Sequence, residues 1–168
     1  MTITHLPSPT GLTDVDLLGV LDAAGARYRL LDHSPEGRTA EASLLRGHPL
    51  AAAAKSIVVR VRLSRRSAQY VVCVVPGDRR VDLGAVCLLY AGEKVGFATT
   101  EVAERLTGCV SGSVVPFRFR EDLALVVDPE LLAWPRIYFN AARLDRSLAL
   151  DSRDYVAVAR PRLARICE

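Results

Sequence analysis

Thr107-Gly108-Cys109-Val110-Ser111-Gly112-Ser113-Val114-Val115-Pro116-Phe117 is the segment whose composition serves backbone geometry better than core burial. Gly108 and Gly112 can take a positive φ or let another backbone approach closely. Pro116 fixes its own φ and pushes Val115 toward an extended conformation. A loop of this kind can aim several N–H and C=O groups at one spot, where they would bind a small polar ligand or an oxyanion. The same residues also fit a helix C-cap at Gly108 followed by an ordinary crossover to the next strand. The rest of the chain has to decide between the two.

Upstream, Thr99 or Thr100 caps a helix with Glu101 in its positive first turn, and Gly108 ends it, so the loop leaves a helix C-terminus. Downstream, Leu123 to Val127 is an apolar strand stopped by Asp128-Pro129. A short helix follows around Leu131 and Leu132, then strands at Arg136 to Asn140 and Leu148 to Leu150, and a last helix capped by Ser152 that runs to Ala159. Toward the N-terminus, Thr13 caps a helix with the stripe Leu17, Leu18, Leu21 and Ala24, ended by Gly25. Arg27 to Asp32 is a short strand, and Thr39 caps a second helix that His48-Pro49 breaks. Ser56 to Leu63 and Gln69 to Val75 read as a hairpin with the second strand central. In the first, Ile57, Val59, Val61 and Leu63 form a core face, and Val58, Arg60 and Arg62 an increasingly basic one. Asp82 caps a helix closed by Gly92, and Lys94 to Ala98 is a brief strand. Six or seven strands interleaved with about five helices predict one α/β domain, a mixed sheet with packed helices. Residues 1–12 are expected as a flexible N-terminus, 13–160 as the domain and 161–168 as a tail.

Composition narrows the function. The 168 residues are half hydrophobic and a quarter charged, enough for one substantial core. Lys and Arg exceed Asp and Glu by 22 to 19, which does not suit a protein that coats nucleic acid but permits a grip on one phosphorylated end. No signal-like N-terminus or bilayer-length apolar run is present, so a cytoplasmic protein without a membrane partner is expected. Cys73, Cys87, Cys109 and Cys167 have neither C-x-x-C nor zinc-finger spacing. His5, His33 and His48 lack helical metal-ligand spacing, so neither a metal nor another cofactor is expected.

Among candidate groups, Lys55 stands alone in charge between Ala51–Ala54 and Ser56-Ile57-Val58, at the start of a strand. It reads either as a snorkelling strand-end lysine or as a phosphate or carboxylate contact. His33 is placed at a pocket mouth. Ser111 sits in G-x-x-S-G, which is not the G-x-S-x-G nucleophile elbow, and no His–Asp pair adjoins it. Cys109 has no basic neighbour to activate it and reads as structural. Arg60, Arg62, Arg65 and Arg66 mark a solvated edge or a guide for a phosphate backbone.

Lys55 before Ser56-Ile57-Val58-Val59, the stretch Val74-Val75-Pro76-Gly77-Asp78-Arg79-Arg80-Val81-Asp82-Leu83, the Thr107-Gly108 pair and the Gly112-x-x-x-Pro116 loop together resemble the YbaK/prolyl-tRNA synthetase editing-domain family. The resemblance runs from about Ala24 to Tyr155. Phe139-Asn140-Ala141-Ala142 to Asp145 and Asp154-Tyr155 look most like the free-standing YeaK-type members. It implies a partly barrelled mixed sheet and hydrolysis of the ester of mischarged tRNA, with the acceptor end as partner and a synthetase as a further one.

By the same resemblance Lys55, Gly112 and Ser111 form the catalytic set, with Lys55 on the phosphate of the terminal adenosine. His33, Thr107, Gly108, Ser113, Val114, Pro116, Asn140 and Asp145 line the aminoacyl and ribose sites, Asn140 selecting the side chain, and Arg60 and Arg62 track the tRNA backbone. The family often has Gly where this chain has Ser113, Ala142 and Arg118. The expected activity is trans-editing of tRNA charged with Ser, Thr or Ala through backbone and substrate-assisted activation of water. Two alternatives remain: an inactive tRNA- or synthetase-binding module of the same fold, and a hydrolase of another small ester.

Overall fold

The computed structural model describes residues 11–168. His5 and most of the expected flexible N-terminus lie outside that range. Five α-helices, α1 (Asp14–Ala23), α2 (Thr39–Arg46), α3 (Leu83–Leu89), α4 (Thr100–Thr107) and α5 (Ser152–Ala159), accompany eight strands. The strands are β1 (Tyr28–Asp32), β2 (Ala54–Arg62), β3 (Ala68–Pro76), β4 (Lys94–Phe97), β5 (Leu123–Val127), β6 (Arg136–Asn140), β7 (Arg146–Asp151) and β8 (Arg162–Leu163). They form a five-stranded mixed sheet, β4-β2-β3-β5-β8, and a three-stranded antiparallel sheet, β1-β7-β6. A parallel bridge between Ala53 and Tyr138 runs the start of β2 into β6, so the sheets meet edge to edge there. The α/β class and the β2–β3 hairpin with β3 at the sheet centre are as the sequence predicts. The described residues hold eight strands rather than six or seven, because β8 forms in the C-terminal segment.

Alternation along β2 and β3 explains the two-layered core. Val58, Val72 and Val74 point toward the small sheet, α1 and α5, joined by Leu17, Leu123, Phe139, Leu148 and Tyr155. Val59, Val61, Val71, Cys73 and Val75 point the other way, beneath α3 and the C-terminal segment. The other face of β2 becomes basic along its length as expected, with Val58 buried, Arg60 exposed and Arg62 half-buried. Leu63, expected in the core, is exposed at the hairpin turn.

Caps account for the helix ends. Thr13 forms a reciprocal capping box with Asp16, Asp82 accepts from the Ala85 N–H, and Thr99 accepts from the Val102 N–H. Two caps differ from expectation. Thr39 is the first helical residue after an uncapped Arg38, and Asp151 rather than Ser152 caps α5, its Oδ1 accepting from the N–H groups of both Arg153 and Asp154. The end of the chain is tied in as well. Buried Asp128 accepts from the N–H groups of Glu130, Ile166 and Cys167, and Ile166 is buried.

Candidate active site

The segment 108–117 is both a helix cap and a loop. Gly108 closes α4 in the left-handed region, φ 70°, and its carbonyl accepts from the Leu12 N–H at 2.8 Å. A Cβ there would stand 2.6 Å from the Leu12 nitrogen. Thr107 returns its hydroxyl to the Ala103 carbonyl and receives the Cys109 N–H, so it shapes the cap. Ser113 is fully buried, with Oγ and N both donating to the Val110 carbonyl, which makes it a turn brace. Pro116 presents its carbonyl to the buried Tyr155 hydroxyl at 2.6 Å. The middle, Ser111, Gly112 and Val114, is what borders open space.

Gly112 abuts Gly37 backbone to backbone. With φ 87°, a Cβ on Gly112 would lie 2.6 Å from the Gly37 Cα and 2.7 Å from its carbonyl oxygen, so only glycine fits. Asn140, at the end of β6, clasps the two loops. Its Nδ2 donates to the carbonyls of Glu36 at 2.8 Å and Gly112 at 3.0 Å, and its Oδ1 accepts from Arg46 and Ser147, both at 2.9 Å. Each of the four hydrogen-bonding positions of the amide faces a partner. The side chain expected to select the substrate is thus built into the wall of the site.

Two cavities flank this clasp. The first, about 70 Å³, is lined by Gly37, Thr39, Ala42, Arg46, Ala54, Lys55, Ser56, Gly112, Val114, Phe139 and Asn140. The second, about 300 Å³, is bordered by Ser56, Ile57, Phe97, Thr100, Glu104, Ser111, Gly112 and Val114 among others. Ser56, Gly112 and Val114 belong to both. The fold therefore brings Lys55 and Gly112 to one cleft from strands and loops 57 residues apart in sequence, and places Ser111 in the neighbouring cavity. His33, Thr107, Gly108, Ser113, Pro116, Asp145, Arg60 and Arg62 line neither.

Electrostatics distinguish the two sides. The smaller cavity has Lys55 and Arg46 in its wall and no carboxylate, whereas Glu104 borders the larger one and accepts from the Ser111 N–H. The Lys55 ammonium donates to the Arg79 carbonyl. Burial holds its pKa below the ordinary lysine value, nearby Arg80 pushes the same way, and Asp78 opposes them. Neither the Gly112 nor the Val114 N–H donates to any described group. The Ser56 hydroxyl is buried and without a partner among the described residues.

His33 sits behind the clasp. Its Nδ1 faces the Ser34 carbonyl at 2.8 Å, which requires a proton on that nitrogen, and Nε2 meets the Ser147 hydroxyl at 2.6 Å. With a neutral ring the single Ser147 proton serves either His33 or Asn140. Asp145 chelates Arg143 and lends its carbonyl to the His33 N–H, so it supports the loop from outside. Arg60 is exposed and Arg62 pairs with Glu93 at 3.7 Å, both on the β2 face that continues from Ser56. Ala142 holds φ 60°, so alanine here keeps the left-handed backbone that glycine would favour. Asp128, Glu130 and Cys167 approach one another within 4.8 Å, as metal ligands would, but outside both cavities and with Asp128 already satisfied by N–H groups.

Arg46, Ser56, Gly37 and Thr39 belong to the site without having been singled out in the sequence. A lone arginine near a helix end carries no local signal, and the glycine contact is made between loops 75 residues apart. Arg46 lies in the last turn of α2, with Nε donating to Ser147 at 2.8 Å and Nη2 to Asn140. Its pKa is lowered from 12.5 to about 10 by burial alone. That corresponds to about 3 kcal/mol of lost solvation at ~1.4 kcal/mol per pH unit.

A family model described as the aminoacyl-tRNA editing domain matches residues 33–158. The chain is 33% identical over 153 residues to the multifunctional Ser/Thr-tRNA deacylase ProXp-y of Escherichia coli K12, covering 90% of this chain and 91% of that protein. Among solved structures it is similar to the hypothetical protein APE2540, with TM-score 0.81, 26% identity and coverage of 90% and 99% of the two chains. It shares its fold with a protein proposed as a trans-editing enzyme for prolyl-tRNA synthetase, at TM-score 0.76, 24% identity and 97% and 99% coverage. No helix among the described residues is long and apolar enough to cross a membrane. The family model and the 33% identical relative, each matched over most of the chain, make this chain a member of the aminoacyl-tRNA editing domain family, a family of deacylases.

Proposed function

We propose that this protein is a trans-acting deacylase that hydrolyses the ester of tRNA mischarged with serine or threonine. The observation that carries the reading is the shared cleft of Lys55 and Gly112, with unengaged backbone N–H groups at Gly112 and Val114. An aminoacyl ester is already labile, and the neighbouring ribose hydroxyl assists attack by water. Lys55 holds the acceptor end by its phosphate as a compact point charge. The Gly112 N–H receives the charge that develops on the carbonyl oxygen. A thousandfold acceleration needs roughly 4 kcal/mol, and one well-placed oxyanion donor supplies about 2.7–4 kcal/mol, so no side-chain nucleophile is required. Ser111 then supplies no nucleophile; it borders the second cavity with its N–H donating to Glu104.

Selection of a hydroxylated side chain falls to Ser56 in this reading, because its Oγ lacks a partner and Asn140 has no capacity left. A buried hydroxyl that only a Ser or Thr substrate satisfies discriminates against alanine, since the apolar methyl leaves it unpaired. The 33% identity to a Ser/Thr-tRNA deacylase supports the same preference. The test is release of labelled amino acid from Ser-, Thr- and Ala-tRNA by substoichiometric enzyme. Turnover of Ser- and Thr-tRNA, with Ala-tRNA slower, is expected. Binding without turnover would instead identify a non-hydrolytic module.

A further inference from the structure

Arg46 is a partly buried guanidinium with only neutral partners. Nε and Nη2 donate to Ser147 and Asn140, and Nη1 faces the His48 ring nitrogen at 3.5 Å. His48 stacks on Tyr138 at 3.8 Å and directs Nδ1 to the Pro49 carbonyl, so its proton lies on Nδ1 and Nε2 is free to accept. No carboxylate lies within ion-pair distance of Arg46 among the described residues. Seven arginines, Arg27, Arg38, Arg62, Arg79, Arg120, Arg143 and Arg146, pair with one, and of those that do not, all but Arg46 and Arg118 are exposed. Burying an unpaired cation is costly unless something anionic arrives. Arg46 also lines the smaller cavity, whose wall holds one more cation, Lys55, and no acid.

We infer that Arg46 is a phosphate-binding residue, a second cation that grips the phosphodiester entering the terminal nucleoside from the side opposite the ester. The inference rests on the deacylase reading for the identity of the ligand and names a contact beyond Lys55. An aminoacylated acceptor end carries negative charge only on its phosphates, and its α-ammonium would be repelled from a cavity walled by two cations. That ammonium fits the larger cavity, where Glu104 stands. Five N–H groups on Arg46 against three described partners leave two for phosphate oxygens, in the planar fork that suits bidentate binding.

The test compares adenosine 5′-monophosphate with adenosine as competitors of deacylation, or as ligands by calorimetry, for wild type, Arg46→Lys and Arg46→Gln. Wild type is expected to bind the monophosphate about tenfold more tightly than adenosine, Arg46→Gln to reduce that ratio to about threefold or less, and Arg46→Lys to fall between the two, because a point charge replaces the fork. Adenosine affinity should change little in any variant, which separates loss of a charge contact from collapse of the Asn140–Ser147 network. An unchanged ratio in Arg46→Gln, or equal loss of adenosine and monophosphate binding, would overturn the inference while leaving the deacylase reading intact. A wild type that binds the monophosphate through Arg46 but releases no amino acid would overturn the reading instead.

Discussion

Replacing Gly112 by alanine tests how the site is built, and a second glycine provides its control. Gly112 has φ 87°, and the added Cβ would meet the Gly37 Cα at 2.6 Å and oxygen at 2.7 Å, both backbone atoms that cannot swing aside. Gly47, the C-cap of α2, has φ 74° and nothing within 4 Å of the same added atom. Left-handed backbone costs a non-glycine residue roughly 1–2 kcal/mol, and Gly47→Ala should show that alone. Gly112→Ala adds separation of the two loops. The Asn140 amide then loses a carbonyl on one side, and a buried donor left unpaired costs about 1–3 kcal/mol more. At ~2–4 °C per kcal/mol for a domain of this size, thermal denaturation should fall by about 2–8 °C for Gly47→Ala and ~4–20 °C for Gly112→Ala. Deacylation at a temperature where both variants are folded should separate them further. Gly47→Ala keeps wild-type kcat/KM, and Gly112→Ala loses about tenfold or more because a displacement of ~1 Å disturbs the cradle. Equal melting temperatures and equal activities in the two variants would refute the argument that backbone contact at Gly37 sets the cleft.

Further outcomes follow from other contacts. Lys55 is pushed below its ordinary pKa by burial, so its charge is present at low pH and lost earlier than usual as pH rises. The Lys55-dependent part of activity, measured above the spontaneous ester hydrolysis at each pH, should therefore fall at a pH below 10.5, and Lys55→Arg should move that fall upward. Tyr155→Phe removes the donor to the Pro116 carbonyl without changing shape, and should cost about 1–3 kcal/mol in urea unfolding; an unchanged midpoint would contradict the anchoring role. Asp128→Ala frees the N–H groups of Ile166 and Cys167, so trypsin should cleave the C-terminal segment at Arg162 or Arg165 well before wild type is cut there.

Much of this architecture was legible because local chemistry and tertiary structure agree. Thr13, Asp82 and Thr99 cap helices that their sequences announce, Leu123–Val127 forms a strand over its apolar run, and Arg136–Asn140 one over the residues that alternation picks out. The α/β class follows from these. The C-terminal segment was not legible, because Ile166 is fixed by a carboxylate 38 residues away and not by any pattern of its own. Within the site, Lys55 and Gly112 stood out by isolation and by turn chemistry. Asn140 was identifiable as important, but only coordinates show that its amide is consumed by four partners. Ser113, Thr107 and Pro116 belong to the right loop yet face away from the cavities, since a sequence motif does not fix which side of a turn each residue serves. Arg46 and Ser56 matter for what they lack, an acidic partner and a hydrogen bond, and neither absence is visible in one dimension.

The central claim is that an ammonium group and a backbone cradle suffice to hydrolyse the ester. It is tested most directly by multiple-turnover release of serine from Ser-charged, non-serine tRNA, comparing wild type with Lys55→Ala at matched folding. The account predicts many turnovers per wild-type molecule and, at substrate below saturation, a rate at least about tenfold lower for Lys55→Ala, because a charge-assisted contact to the phosphate is worth about 1.5–3 kcal/mol. Equal rates for the two proteins, or no release by wild type, would contradict it.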